Sequence, residues 1–572
     1  MIECNINGKF AEYIRIITER QLTDKVLWKK CVDVFSTGID NQDAGWRGEY
    51  WGKMMRGACL VYQVNRSPEL MSVLTDAVKG LLSKQEPSGR ISTYRSDEEF
   101  LGWDMWSRKY VMTGLQHFYD ICDDEELKSR IMSALTAHAD YIVERIGEGK
   151  IDILPTGKYW GGVNSASILE PFVRLYKDTK DEKYLDFAKY IISTGGCMDG
   201  SLLEATLQGL APYQFPETKA YETMSFFEGL LAFYEVTGEK KYLEVVQKFT
   251  DALLETDVTV IGSCGCTHEL FDNSAVCQTE ATGKIMQETC VTVTLIRLLS
   301  RLYKATGDKR LTDTIRLASL NALAGALNVN SFDQFSNEKK EWLKGLTFDS
   351  YSPLCDSKRG LGIGGFKQFA DGSFFGCCAC IASAGFAMYP LTAVTESNES
   401  VSINYLVDGS FKTSFADIRI EDKKITLSMP ESKNFTVKVS TGDKFISVST
   451  CVNSKDVKIE NGFTVINGTW NDGDVIELSI ENKLVEKQLN GKISLNYGGY
   501  ALAVDESKSD YTAGKHIDFV RDADRNIKYT LCEPEAGEQV RIVVETTDGK
   551  MLLTNYAAAG QDGKSIVSVW FN

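Results

Sequence analysis

Glu288-Thr289-Cys290 and the doublet Cys377-Cys378 put one carboxylate and three thiols into two short segments. Thiolate sulfur and carboxylate oxygen in fours suit zinc, which takes such donors in a tetrahedral site. The segments are far apart in sequence, so a fold has to bring them together. A site of that kind would hold zinc and also present a metal-activated thiolate, a nucleophile. On the residues alone two readings stand: a zinc cluster, or small buried thiols in tight turns. Cys264, Cys266, Cys277 and His268 are rival ligands. Positions 288 and 290 diverge on a regular helix. They reach one metal only as the irregular first turn of a helix expected from Gln287 to Tyr303, whose N-terminus would favour anionic ligands. The doublet follows a glycine-rich stretch, Gly360 to Phe366 and Phe374-Phe375-Gly376.

Glu269, in the polar loop Cys264 to Asp272, is placed to be a general acid; the competing reading is a solvated loop carboxylate. Trp46, Trp51, Trp103, Trp106, Tyr159 and Trp160 either stack on a sugar or pack a core. The segment Trp103 to Tyr110 joins aromatics to Arg108 and Lys109. Those two cations hint at an acidic sugar or a carboxylated substituent, and structural ion pairs explain them equally well.

The elements that must carry these residues come from an internal repeat. Leu175-Tyr176-Lys177-Asp178-Thr179, Phe233-Tyr234-Glu235-Val236-Thr237-Gly238 and Leu302-Tyr303-Lys304-Ala305-Thr306-Gly307 are its clearest copies, with weaker ones at Tyr62 and Tyr119. The marker tyrosines recur at intervals of 57, 57, 58 and 69 residues. Each copy reads as a helix end, a tight turn and a second helix; Thr-Gly-Glu and Thr-Gly-Asp place glycine where one helix stops and an acid where the next begins. With an unmarked unit near 378–395, six hairpins result. They close into an (α/α)6 barrel with a central pocket; an open solenoid is the alternative. From residue 396 the pattern changes to period-two alternation between Gly, Asn and Asp turns such as Asn461-Gly462, Asn467-Gly468 and Asp472-Gly473. The expected organisation is therefore multidomain α + β: a catalytic (α/α)6 barrel over 1–395 and antiparallel β-sandwich structure over 396–572.

Composition narrows the partners. A chain of 572 residues with formal charge −16 lacks the clustered Lys and Arg of a nucleic-acid binder. No apolar run approaches the roughly 20 residues that span a bilayer. The first residues carry no secretory signal, which a chain shortened at its start would also lack. Fifteen scattered cysteines point to reduced thiols in a cytoplasm. That there are only four histidines weakens any model built on a multi-histidine metal site or a histidine-based triad. A glycan is the expected partner, with a homodimer as the oligomeric expectation, and neither nucleic acid nor membrane.

The helical repeats, Gln287-Glu288-Thr289-Cys290, the Cys-Cys doublet, Thr469-Trp470-Asn471-Asp472-Gly473-Asp474-Val475 and Asn496-Tyr497-Gly498-Gly499-Tyr500 together resemble the β-L-arabinofuranosidase-like glycoside hydrolases of family 127. The resemblance implies zinc bound by Glu288, Cys290, Cys377 and Cys378, with Cys377 the nucleophile and Glu269 the acid/base of a retaining exo-hydrolase. A shifted alignment would put Cys380 in place of Cys377. Where that family holds its sugar with histidines, this chain carries Trp103, Asn164-Ser165 and Lys219-Ala220-Tyr221. Substrate contacts are accordingly expected from Trp103, Trp106, Arg108, Lys109, Tyr159, Asn164, Tyr221 and Glu222. A lyase or epimerase on the same barrel, or a carbohydrate-binding protein with structural zinc, is the alternative.

Overall fold

The computed structural model describes residues 2–267, 269–280, 286–329, 346–359, 365–452 and 455–572. His268 and Gly360-Leu361-Gly362-Ile363-Gly364 lie outside the described residues.

The helical part is built from α1 (Gly8–Ile17), α2 (Lys25–Asp33), α3 (Gly48–Asn65), α4 (Pro68–Leu82), α5 (Asp104–Ile121), α6 (Glu125–Arg145), α7 (Leu169–Thr179), α8 (Glu182–Ser193), α9 (Ala220–Thr237), α10 (Lys240–Thr256), α11 (Thr289–Thr306), α12 (Lys309–Ala318) and α13 (Cys377–Ala393). The marker tyrosines 62, 119, 176, 234 and 303 all fall in the last turn of α3, α5, α7, α9 and α11. Four of those helices stop on a left-handed residue, Arg66, Lys180, Gly238 or Gly307, whose N–H closes back onto the marker tyrosine's carbonyl. The orphan carbonyls of a helix end are satisfied that way. Ser67, Asp124, Asp181 and Asp308 then cap the next helix with their side chains.

Two burial patterns separate the helices into layers. In α8 the buried positions are Tyr184, Leu185, Phe187, Ala188, Ile191 and Ile192, one stripe of an amphipathic helix. In α9 every residue from Ala220 to Phe233 is buried, as in a helix covered on all sides. The inner helices α3, α5, α7, α9, α11 and α13 pack neighbour on neighbour, and α13 packs back on α3. The sixth unit departs from the repeat: α13 runs directly into the strand Val394–Glu396, and α1 from the chain start lies against it.

The expected junction at 395/396 falls inside the strand Val394–Glu396. From there the chain is β-rich. One sheet runs Glu3–Ile6, Gly409–Lys412, Asp417–Glu421, Lys424–Ser428, Val475–Asn482, Ile446–Cys451, and a second runs Asp456–Glu460, Phe463–Trp470, Lys433–Ser440, Ser400–Ile403, Val394–Glu396. A third sheet is built from the segments beyond Leu484. Asn461-Gly462 makes the hairpin turn, both residues at positive φ. Asn467-Gly468, expected as a turn, instead lies within Phe463–Trp470, where Asn467 pairs with Thr436 and Asp456. One apolar core runs unbroken from the inner helices through Ile418, Ile425, Val437 and Ile466 of the first two sheets. Among the described residues no helix is long and apolar enough to cross a membrane.

Candidate active site

Two helix N-termini build the cluster. Strand Met286–Glu288 pairs with Tyr351–Pro353, which holds Glu288 extended as the N-cap of α11 and leaves Cys290 in its first turn. The helix thus begins at Thr289, two residues later than expected, because those residues are taken by the strand pair. Cys377 is the first residue of α13 and Cys378 the second. A carboxylate and three sulfurs therefore sit where unpaired N–H groups favour negative charge. Gly365 crosses close by at φ +72°, and a Cβ there would meet Cys377 Sγ at 2.3 Å.

The donor atoms of Glu288, Cys290, Cys377 and Cys378 all lie within 4.8 Å of one another. Cys290 Sγ is 3.2 Å from Cys378 Sγ, Cys377 Sγ is 3.9 Å from Cys378 Sγ, and Glu288 Oε1 is 3.3 Å from Cys378 Sγ. Zinc–sulfur bonds of about 2.3 Å put the corners of a tetrahedron roughly 3.7 Å apart, so the spacing fits that ion. Glu288 Oε2 is buried with no hydrogen-bond partner among the described residues, as a further donor atom aimed at an ion would be. Burial pushes the Glu288 carboxyl and the Cys290 and Cys378 thiols well up. Cys377 goes the other way: hydrogen bonds from Cys290 and Cys378 hold it well below the ordinary thiol range against the cost of burial, helped by Lys53 and Lys219. Cys377 is also the one member of the four that is not fully buried.

The rival sulfurs are engaged elsewhere. Cys380 donates to the Gly376 carbonyl at 3.1 Å, Cys266 accepts from Gln287 Nε2 at 2.7 Å, and Cys277 donates to the Asp272 carbonyl at 3.0 Å. Cys264 is fully buried in the main core. None of the fifteen cysteines is in a disulfide.

Glu269 stands at φ +65°, a left-handed backbone that costs a non-glycine residue roughly 1 kcal/mol. The loop is stitched down around it: Ala220 N–H donates to the Glu269 carbonyl at 2.9 Å and Phe271 N–H to the Thr218 carbonyl at 2.8 Å. Its carboxylate accepts from Tyr351 Oη at 2.5 Å on one oxygen and pairs with Lys219 Nζ on the other. Lys219 lies beneath the half-exposed Trp160 ring, 4.6 Å from its centroid. Glu222, one turn into α9, is buried; burial raises its carboxyl to about 7, with Lys219 opposing and Glu269 adding to the shift. Its Oε2 has no hydrogen-bond partner among the described residues.

The remaining candidates divide. Trp103 is a partly buried hub, with ring centroids 6.0 Å from each of Trp46, Trp106 and Tyr159 and stacked on the last. Trp106 and Tyr221 are buried edge to face at 4.9 Å, and Tyr221 Oη bonds Tyr110 Oη. Lys109 is buried over Trp106, donates to Ser167 Oγ at 3.3 Å, and desolvation brings it down to about 7. Arg108 is not brought to the site. It is fully buried, pairs with Asp104 and Glu99 and lies over Phe100 and Tyr141, so its charge is consumed within α5 and its flanking loop. Asn164 clips loops together, donating to the carbonyls of Gly102 and Gly157. Glu49, Lys53 and Tyr351 escaped the sequence reading. The first two share a face of α3 at i, i+4 spacing, a signal common on any helix, and Tyr351 had no local signal.

Three solved structures share this fold over the whole of the chain. A GH127 β-arabinofuranosidase matches with a TM-score of 0.76 and 17% identity, with 96% of its own chain covered. A GH127 β-L-arabinofuranosidase from Geobacillus stearothermophilus T6 matches with 0.76 and 15% over 99% of its chain, and a further glycoside hydrolase with 0.74 and 15% over 96%. No curated protein matches the sequence. The fold is that of a glycoside hydrolase. Residues 13–335 match the β-L-arabinofuranosidase, GH127 catalytic domain family, and the chain belongs to it.

Proposed function

We propose that the protein is a retaining exo-glycosidase whose nucleophile is Cys377 and whose acid/base is Glu269, acting at the mouth of an (α/α)6 barrel formed by the ring of inner helices. The observation that carries this reading is the partial exposure of Cys377 in a cluster whose other members are buried. A purely structural metal site has no need of an open sulfur. Glu288, Cys290, Cys377 and Cys378 would hold zinc, which when bound supplies a thiol kept deprotonated at neutral pH.

In the first step Cys377 Sγ attacks the anomeric carbon, the bond to the leaving oxygen breaks, and protonated Glu269 gives that oxygen its proton. In the second, Glu269 takes a proton from water, the water oxygen attacks the anomeric carbon, and the carbon–sulfur bond breaks to return the thiolate. Two inversions give retention, with sulfur in the place of one carboxylate of the usual pair. Trp103, Tyr159 and Trp160 offer faces on which a sugar stacks. A terminal β-L-arabinofuranose-like sugar, or an acidic or branched one, is the substrate expected.

The test uses Glu269→Gln with aryl furanosides and uronides carrying a good leaving group. Turnover should fall at least about 100-fold. Because such a leaving group needs no proton, the sugar should then accumulate on the peptide that contains Cys377, read by mass spectrometry after acid quench. Undiminished turnover, or sugar on another residue, would sink the assignment.

A further inference from the structure

Three sulfurs in one cluster are chemically alike until their surroundings separate them. Beside Cys290 stands Lys53 of α3, its side chain 1% exposed. Its ammonium is 3.9 Å from Cys290 Sγ and 3.0 Å from Glu49 Oε1, one turn earlier on the same helix. Glu49 is buried as well and takes the Trp106 indole N–H on its other oxygen. Three rings face the ammonium, with centroids at 4.7 Å for Tyr221, 5.2 Å for Tyr110 and 5.7 Å for Trp106. Burying an ammonium costs several kcal/mol unless it is paired and hydrogen-bonded. Here the carboxylate and the ring faces offset that cost, and they fix the direction of the remaining N–H groups. An ammonium carries three donors; one reaches Glu49 and one is aimed at Cys290.

We infer that Lys53 is a positioning residue that sorts the three thiolates: by donating to Cys290 it ties that sulfur into a ligand's role and leaves Cys377 as the sulfur that reacts. A thiolate that accepts a hydrogen bond from a cation shares its lone pair and loses nucleophilicity while staying a ligand. Cys377 takes no ammonium contact within hydrogen-bond distance among the described residues and is the one residue of the four that is not fully buried. The Glu49–Lys53–Cys290 chain also runs from α3 to α11, two inner helices separated in the ring by α13, so it ties the cluster to both helices that flank the Cys377-Cys378 helix. The consequence for reactivity rests on Cys377 being the nucleophile; the contact with Cys290 does not.

The experiment compares wild type with Lys53→Met and Lys53→Arg. Zinc affinity is measured by competition with a chromophoric chelator, and the thiolate-to-metal charge-transfer band is recorded in cobalt(II)-substituted protein. Lys53→Met should weaken zinc roughly 10- to 100-fold, the usual effect of removing a group that supports a metal ligand. It should also move the charge-transfer band to lower energy, because a sulfur freed of its donor gives up an electron more easily. Lys53→Arg should restore the band. A folded Lys53→Met protein with unchanged affinity and an unmoved band overturns the inference. If Lys53→Met does not fold, Glu49→Gln decides. Loosening the ammonium should shift the band part of the way, and an unmoved band overturns the inference there too. Neither readout requires turnover, so a failure of the Cys377 assignment and a failure of the Lys53 role are told apart.

Discussion

Glu269 carries its two oxygens into different company. Lys219 pairs with one, and Tyr351 donates to the other at 2.5 Å. The backbone beneath is left-handed and pinned by residues 218–220, so the side chain has little freedom to swing. Two donors on one carboxylate fix its direction. Tyr351→Phe removes one of them without changing the volume. A hydrogen bond to a charged group is worth about 1.5–3 kcal/mol, so kcat/KM should fall roughly 10- to 100-fold. The loss should be greatest with poor leaving groups, which depend on proton delivery, and smaller with a nitrophenyl glycoside. An equal loss across leaving groups would assign Tyr351 to sugar binding instead. That tyrosine could not be found from sequence. It belongs to the site only because Tyr351–Pro353 pairs with Met286–Glu288, and a three-residue strand pair has no periodicity to read.

At the level of elements, α3 and α5 approach each other more closely than side chains normally allow. A Cβ on Gly52 would stand 1.8 Å from the Tyr110 carbonyl oxygen, a backbone atom that cannot move without its helix. Gly114 of α5 faces the same seam and touches Trp51 and Met55. This close contact lets Lys53 and Glu49 of α3 reach Trp106 and Tyr110 of α5. Gly52→Ala should therefore destabilise the protein by about 3 kcal/mol or more, at the upper end of overpacking, measured by chemical denaturation. It should also lower zinc affinity, since the seam positions Lys53. Stability within about 0.5 kcal/mol of wild type would mean the helices separate freely. Much of this layer was legible beforehand. The Thr-Gly-Glu and Thr-Gly-Asp turns after Tyr234 and Tyr303 encode a helix stop and a helix start, and with the copies at Tyr176, Tyr119 and Tyr62 they located five hairpins. The sixth carried no such turn, because α13 is followed by a strand and needs no second-helix signal. Glu-x-Cys and Cys-Cys were legible as a pair for a similar reason: each stands in the first turn of a helix, where spacing of one or two residues brings side chains to one point.

At the scale of the whole molecule the two kinds of structure are joined at both ends of the chain. Strand Glu3–Ile6 pairs in register with Gly409–Lys412, so the first residues complete the edge of a sheet formed four hundred positions later. Cys4 and Ile6 are buried in the same core as the inner helices. Two residues further on α1 begins, and it lies against α13, the helix that begins with Cys377 and Cys378. A strand this short at a chain start carries no turn signal and no long alternation, which is why the sequence placed it with the helices. Its removal tests whether the β region supports the active site or merely follows it. Deleting residues 2–7 exposes an unpaired sheet edge and takes away two buried side chains, each worth about 1.5–3 kcal/mol. The thermal midpoint should drop by several degrees. Because α1 transmits the change to α13, zinc affinity should fall with it. A lower midpoint with zinc affinity unchanged would separate the two, and would leave the coupling between sheet and cluster to other contacts, among them Tyr303 with Asn404, Arg316 with Asp443 and Tyr405 with the Tyr389 carbonyl of α13.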